Sequence, residues 1–369
     1  PCSGRRCRLR TDSLETGTDS LRFGVCSASW VLGAGAAGRS CHESPVHWKM
    51  LLLRAAALAV LLSATAAAPF TLDAAGGLTL TLDPTTLAYS VSVGGATWFD
   101  TKGEGAAGGY GYSADGKTVT LGNGMKAIGV PAKSTGSDAA GAFDSLAVSF
   151  SRSGSAPAEW IATFKTYTER SAIVFAQTWP KGEANSKGGS VFPALHKAAE
   201  AVDMGTLEYT GSSCGFMVSA KGSFPGISGG SSKGYVVIAP KDATGAGAAV
   251  TFAVGPVTEH FANQGKNGGD SLNYGMADTF EFVPPGYTIE TVLVATMEGH
   301  KGNAMSAPSR LSVPSGGVNA ALFEYGDYVL SRHSKKRALG NHKTETEYLG
   351  YSTTAFYFYN LCDCLDVSS

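Results

Sequence analysis

Charge is what this sequence has least of. Only 16% of its residues are charged, and 29 Lys plus Arg balance 30 Asp plus Glu, for a formal net charge of −1. That balance excludes nucleic-acid binding by bulk electrostatics, and there is no block of acidic charge. No Asn-x-Ser/Thr sequon occurs, so N-glycosylation is not expected. Cysteine is sparse, with seven in the chain. What is abundant is glycine: 48 residues, about twice the usual share. With Ser, Thr and Ala it favours many short strands and tight turns over helices. The 369 residues allow two or three average domains or one large β domain.

The first methionine is Met50, and the stretch it opens reads MLLLRAAALAVLLSATAAAPF. One charge, Arg54, precedes an apolar run from Ala55 to Leu62, and Ala64 and Ala66 offer an Ala-x-Ala cleavage site. This is the pattern of a secretory signal peptide over 50–66. A membrane anchor is the competing reading, but Ala55–Ala68 is short and Ala-rich for a span. Residues 1–49 are then expected to be leader or misplaced upstream sequence, and the working protein to be secreted. Cys2, Cys7, Cys26 and Cys41 would leave with that leader, so Cys214, Cys362 and Cys364 remain. An odd count in a secreted chain points to a missing partner. Cys362 and Cys364 are too close to bridge comfortably to each other.

From Phe70 to about Thr296 short apolar alternations are separated by turn signals about every ten residues. LTLTLDPTTLAYSVSV reads as a hairpin around Asp83-Pro84, and EWIATFKTYTERSAIVFAQTWP as two strands around Glu169-Arg170. KTVTLGNG, SLAVSFSRSG, GYVVIAP, AAVTFAVGP, DTFEFVPPG and TIETVLVATM supply further strands. The expectation is a large antiparallel two-sheet β-sandwich over 67–299. Pro193–Val202 (PALHKAAEAV) is the one helix-like piece within it. Residues 300–319 read as a linker. Beyond them Ala321, Leu322, Tyr325, Tyr328 and Val329 fall at helical spacing, and Gly326 weakens that helix without breaking it. Over 347–360 comes EYLGYSTTAFYFYN, the most aromatic stretch. A lone buried strand needs neighbours, so this is expected to be an orphan strand of a second domain, absent from this chain.

Several motifs have blander readings that serve them better. GAGAAG (Gly33–Gly38) matches the dinucleotide fingerprint but has no βαβ unit around it. GNGMKA at Gly122 is better read as a hairpin turn. GSSCG places Ser213 at the centre of a nucleophile-elbow pattern, yet no helix follows to support an oxyanion. The basic run Arg332–Arg337 suits a helix C-terminus, with secretory processing as a second reading. His196, His260, His300, His333 and His342 are scattered, and no pair has metal spacing on one element. Asp270, Asp278 and Glu281 are neighbours that an edge turn explains. No residue reads as a convincing catalyst, and no cofactor or metal is implied.

The order PPGYTIETVLVATMEG, linker, LFEYGDYVLSRHSKKRA, EYLGYSTTAFYFYN resembles a group of secreted glycoside-hydrolase-like, α-galactosidase-like proteins. SVFPALHKA and GYVVIAP are similar to the sandwich of the same group. The resemblance implies a galactose-mutarotase-like supersandwich followed by a (β/α)8 barrel, with Leu349–Asn360 opening that barrel. Where some relatives carry an Asp-Asn pair after the Thr of this strand, Thr353 is followed by Thr354, Ala355 and Phe356. The catalytic carboxylates would lie on later strands, so the chain as given would be catalytically incomplete. Its partner would be carbohydrate, contacted by Tyr351, Thr353 and Tyr357, which share one strand face with Ala355 and Tyr359. The same tyrosines serve equally well as core. The alternative function is a freestanding extracellular sandwich that binds glycan or protein.

Overall fold

The computed structural model describes residues 67–101, 109–212, 215–227, 231–232, 234–241, 250–260, 262–297 and 316–336. In Leu78–Leu82 and Tyr89–Val93 every second side chain is buried. The two pair antiparallel, Leu80 opposite Val91. Their turn is closed by Asp83, whose Oδ1 accepts from the backbone N–H groups of Thr85 (2.7 Å) and Thr86 (3.2 Å). The chemistry read from the sequence, an Asp-Pro turn between alternating runs, therefore sets this hairpin. The same logic gives Trp160–Tyr167 and Ala172–Trp179, paired around Glu169-Arg170.

The described strands form two sheets. One runs Phe70–Asp73, Leu78–Leu82, Tyr89–Val93, Ala96–Asp100, Ala194–Lys197, Ser271–Met276, Asn263–Asn267 and Ser231–Ser232. The other starts with Ser190–Val191, Gly111–Ala114, Lys117–Leu121, Gly124–Ala127 and Gly141–Ser151. It continues through Trp160–Tyr167, Ala172–Trp179, Tyr287–Met297, Val250–Pro256, Val236–Pro240, Met204–Ser212 and Gly215–Lys221. Ala132–Asp138 is added along Gly141–Ser151. Neighbours are antiparallel except Lys117–Leu121 with Gly124–Ala127, which pair in parallel, so the Gly122 turn is not the hairpin turn expected there. The inner faces meet in one core, where Trp98 and Phe99 of the first sheet pack edge-on against Phe252 of the second. The expected β-sandwich is therefore what forms.

Three central strands of the larger sheet do not alternate, because both of their faces are covered. In Ala172–Trp179, Ile173 and Phe175 face the sandwich core, while Ala172 and Val174 face a second apolar layer. That layer is completed by the helix Gly317–Arg332, which lies on Val236–Pro240, Val250–Pro256 and Tyr287–Met297. Ala321 and Tyr328 are buried there, with Leu322, Tyr325 and Val329 packed beside them, the face read from the 3.6-residue spacing. Gly326 does not interrupt the helix, and Arg332 occupies its last turn. The segment 349–360, expected as an orphan strand, lies outside the described residues.

Two local expectations are corrected. Pro193–Val202 is not helical: Ala194–Lys197 is a strand, paired with Ser271–Asn273 on one side and Phe99–Asp100 on the other. Its neighbours supply hydrogen bonds along both edges, and that overrides the helix propensity of its alanines. DTFEFVPPG forms no strand beyond one bridge, Val283 with Glu183, since consecutive prolines remove ladder donors.

Between Ser190–Val191 and Ala194–Lys197 the chain crosses from one sheet to the other. Phe192 sits at the crossing, fully buried. A crossing backbone has no ladder to bond to, so side chains must satisfy it. Gln177 Nε2 donates to the Phe192 carbonyl (2.6 Å), and the Phe192 N–H donates to the Tyr274 carbonyl (2.8 Å). The Tyr89 hydroxyl donates to the Ala194 carbonyl (2.9 Å) and accepts from the Ala194 N–H (2.8 Å). Burial pushes the Tyr89 phenol well above the ordinary tyrosine range, so it stays protonated.

Candidate functional site

Tyr351, Thr353 and Tyr357, the residues expected to touch sugar, lie outside the described residues, as do Ser213, Cys214, His300, His342, Cys362 and Cys364. Among the described residues no group of three His, Cys, Asp or Glu is placed to hold a metal. Asp270, Asp278 and Glu281 do not converge on one centre. Asp270 lies 3.4 Å from His196 Nδ1, Glu281 pairs with Lys187 at 2.7 Å, and Asp278 acts on Lys266.

The densest polar constellation is under the C-terminal end of the helix. Glu290, on Tyr287–Met297, has a side chain only 4% exposed. Its Oε2 accepts from Arg332 Nε (2.9 Å), and its Oε1 accepts from Arg332 (3.2 Å) and from Lys165 Nζ (3.1 Å). Beside it the Tyr328 hydroxyl meets the Tyr167 hydroxyl at 3.1 Å, and Tyr167 donates to Asp138 Oδ2 (2.9 Å). Burial raises both phenols far above their ordinary range. Arg170 reaches the Ala140 carbonyl (2.7 Å) and Ser331 Oγ (2.8 Å), and Tyr325 donates to the Pro256 carbonyl (2.6 Å). Cations gather at a helix C-terminus, where the last carbonyls carry negative character. Both Glu290 oxygens are committed to cations, so the cluster acts as a clamp that fixes the helix to the sheet.

A second constellation sits where Gly111–Ala114 turns into Lys117–Leu121. Arg152 lies between Asp115 and Glu159 and bonds to both. Glu159 Oε2 accepts from Arg152 Nε (3.1 Å), the Arg152 backbone N–H (3.0 Å) and the Tyr112 hydroxyl (3.1 Å). Burial alone would raise the Glu159 carboxyl, but these donors outweigh it and hold the group below its ordinary value. A glycosidase acid needs the opposite, a carboxyl kept protonated at neutral pH. Glu159 is therefore suited to tying loops together and unsuited to acting as such an acid. The sign of its linkage follows: a depressed folded pKa adds stability above the unfolded value, and this is lost as pH falls through the folded one. Glu159→Gln should accordingly be less stable than the parent at pH 7. The gap should close as pH drops below about 4.5, read as thermal midpoints across pH 3–7. A gap independent of pH would show that the charge of Glu159 is idle.

At the Asp83 hairpin a groove of about 830 Å³ opens beside Pro69, Thr81, Asp83, Thr86, Leu87 and Leu121, within the size range of small-molecule sites. Leu87 holds a left-handed conformation there, φ +60°, uncommon for a branched side chain. Asp83 is the single carboxylate among the described lining residues.

No family profile matches this chain, and no curated protein matches it. Among solved structures it is similar to a glycoside hydrolase family 97 enzyme from Pseudoalteromonas sp. strain K8, with 9% identity and a TM-score of 0.39 over 61% of this chain and 35% of that one. It is similar to the α-N-acetylgalactosaminidase NagBb from Bifidobacterium bifidum, with 15% identity and a TM-score of 0.40 over 62% of this chain and 36% of that one. A third is a GH36 α-galactosidase, AgaA from Geobacillus stearothermophilus, with 11% identity and a TM-score of 0.37 over 62% and 41%. The chain thus spans well under half the length of each. At these scores the likeness assigns no activity.

Proposed function

We propose that this chain is the N-terminal β-sandwich portion of a secreted, glycosidase-like, carbohydrate-active protein, and that the chain as given lacks the catalytic carboxylates. The observation that supports this most is the helix clamp. Glu290, Arg332 and Lys165 fasten Gly317–Arg332 to the outer face of the larger sheet, just ahead of the segment that resembles a barrel-opening strand. A helix fastened in this way gives whatever follows it a fixed starting direction, as a supporting module requires. Glu159 and Glu290 fit the same reading, since both are committed to cations.

The test is activity of the purified, secreted chain on a panel of aryl α- and β-glycosides, together with sequencing of its full transcript. The expected result is no hydrolysis above background and a reading frame that continues beyond Ser369 into strands bearing Asp. Hydrolysis by the chain alone would overturn the proposal. A message that ends at Ser369 would favour the second reading, a freestanding extracellular sandwich that binds glycan or protein. The groove beside Asp83 supports that alternative.

A further inference from the structure

An exposed lysine keeps its hydration, and a lysine drawn into a sheet needs a carboxylate in its place. Lys165 and Lys197 follow that rule: Lys165 meets Glu290 at 3.1 Å and Lys197 meets Asp203 at 2.8 Å. Lys266, on Asn263–Asn267, is partly buried as they are, but it has no such partner. Directly across the ladder stand Asn273 on one side and Ser231 on the other, so neither neighbour brings a carboxylate. Among the described residues Lys266 Nζ donates one hydrogen bond, to the Met276 carbonyl at 3.4 Å, longer than an ordinary N–H···O bond.

The backbone at Gly189 closes in on the same nitrogen. Gly189 lies at φ +69°, and a Cβ built on it would stand 2.2 Å from the Met276 carbonyl oxygen and 3.1 Å from Lys266 Nζ. Only glycine fits there, and its close approach takes space that water would otherwise fill beside the amine. An ammonium offers three donors, and here one long bond serves it. Burial accordingly holds the Lys266 amine below the ordinary lysine value. The charge of Asp278 offsets this in part, without coming to bonding distance.

Two ligand classes suit an amine so poorly served, an anion or a carbon electrophile. Asp278 argues against the anion, because its carboxylate would repel one. A poorly solvated amine releases its proton more readily and bares a lone pair, the property that lets buried lysines form imines with carbonyl compounds. We propose that Lys266 is a reactive amine that captures small aldehydes as an imine. The lone pair of the uncharged Nζ forms a C–N bond to the carbonyl carbon. The C=O pair moves onto the oxygen, which takes a proton from the nitrogen. The hydroxyl then leaves as water with the remaining nitrogen proton, and a C=N bond is left. No oxidant or reductant enters this step.

The test uses the full chain with glycolaldehyde as the probe. Cyanoborohydride traps the imine by delivering hydride to its carbon, and peptide mass mapping reads each lysine. At pH 7 Lys266 should be modified roughly threefold or more faster than the exposed Lys117 and Lys133. That lead should shrink as pH nears about 10, where exposed lysines also lose their protons, and vanish in denaturing urea. Asp278→Asn removes a charge that favours the ammonium, so it should raise the Lys266 rate at pH 7. Lys266 modified no faster than Lys117 and Lys133 would overturn the proposal. So would a lead that persists in urea or ignores pH, or an Asp278→Asn variant that reacts no faster than the parent.

Discussion

Replacing Phe192 by alanine is expected to lower stability by about 3–5 kcal/mol, a fall in thermal midpoint on the order of 10 °C for a domain of this size. Its ring stacks on Tyr110 (5.4 Å, 19°) and meets Phe164 (5.0 Å), Phe175 (5.6 Å), Tyr89 (6.1 Å) and Trp160 (6.1 Å) at steep angles. The cost of emptying such a site depends on whether the surroundings can close in. Here they are held apart. Trp160 and Phe164 are fixed by the pairing of Trp160–Tyr167 with both neighbours, Phe175 by Ala172–Trp179, and Tyr89 by its two hydrogen bonds to Ala194. The cavity should therefore persist. Phe192→Leu retains most of the volume and should cost much less, about 1–2 kcal/mol. The measurement is chemical unfolding monitored by near-ultraviolet circular dichroism, which reports on this aromatic group directly. A loss below about 1 kcal/mol for Phe192→Ala would mean that the sheet crossing is not a packing centre.

What could be read in the sequence follows from how each residue's environment is set. Leu78–Leu82 and Tyr89–Val93 were legible because one face meets the core and the other meets solvent or polar neighbours, so alternation is written into the side chains. The helix was legible because its apolar face lies on one sheet. Ala132–Asp138 was not, because its residues are largely exposed and AKSTGSD carries no apolar alternation. Asn263–Asn267 was hidden for the opposite reason. It buries polar side chains, and Asn263 spends its amide on the Glu290 carbonyl and Thr291 Oγ1. The clamp could not be found from spacing, since Lys165 and Glu290 are 125 positions apart and Tyr167 and Tyr328 are 161. Strand register brings the first pair together, and the docking of the helix on the sheet brings the second. The Arg332–Arg337 run carries part of the signal: it suits a helix end, and Arg332 stands in the last turn, although nothing in the run points to the buried glutamate it meets.

That glutamate makes the clamp testable as a coupled unit. Arg332→Met should cost about 2 kcal/mol, less than the roughly 3–5 of a fully buried pair because the arginine keeps 29% exposure. Glu290→Gln should cost a similar amount for a different reason, since it leaves Lys165 and Arg332 facing each other without the carboxylate that reconciles them. The informative measurement is the double-mutant cycle. With both partners changed only Lys165 still faces the lost carboxylate and no second cation crowds it, so the combined cost should fall short of the sum by about 1–2 kcal/mol. The consequence should also be local. Packing of Ala321, Tyr325 and Tyr328 on the sheet remains, so the helix should stay formed but open more often, and the amides of 317–332 should exchange faster than those of Ala172–Trp179. Costs that add within about 0.5 kcal/mol, with helix exchange unchanged, would mean that the apolar face alone seats the helix. The ion cluster would then have no part in directing the chain that follows it.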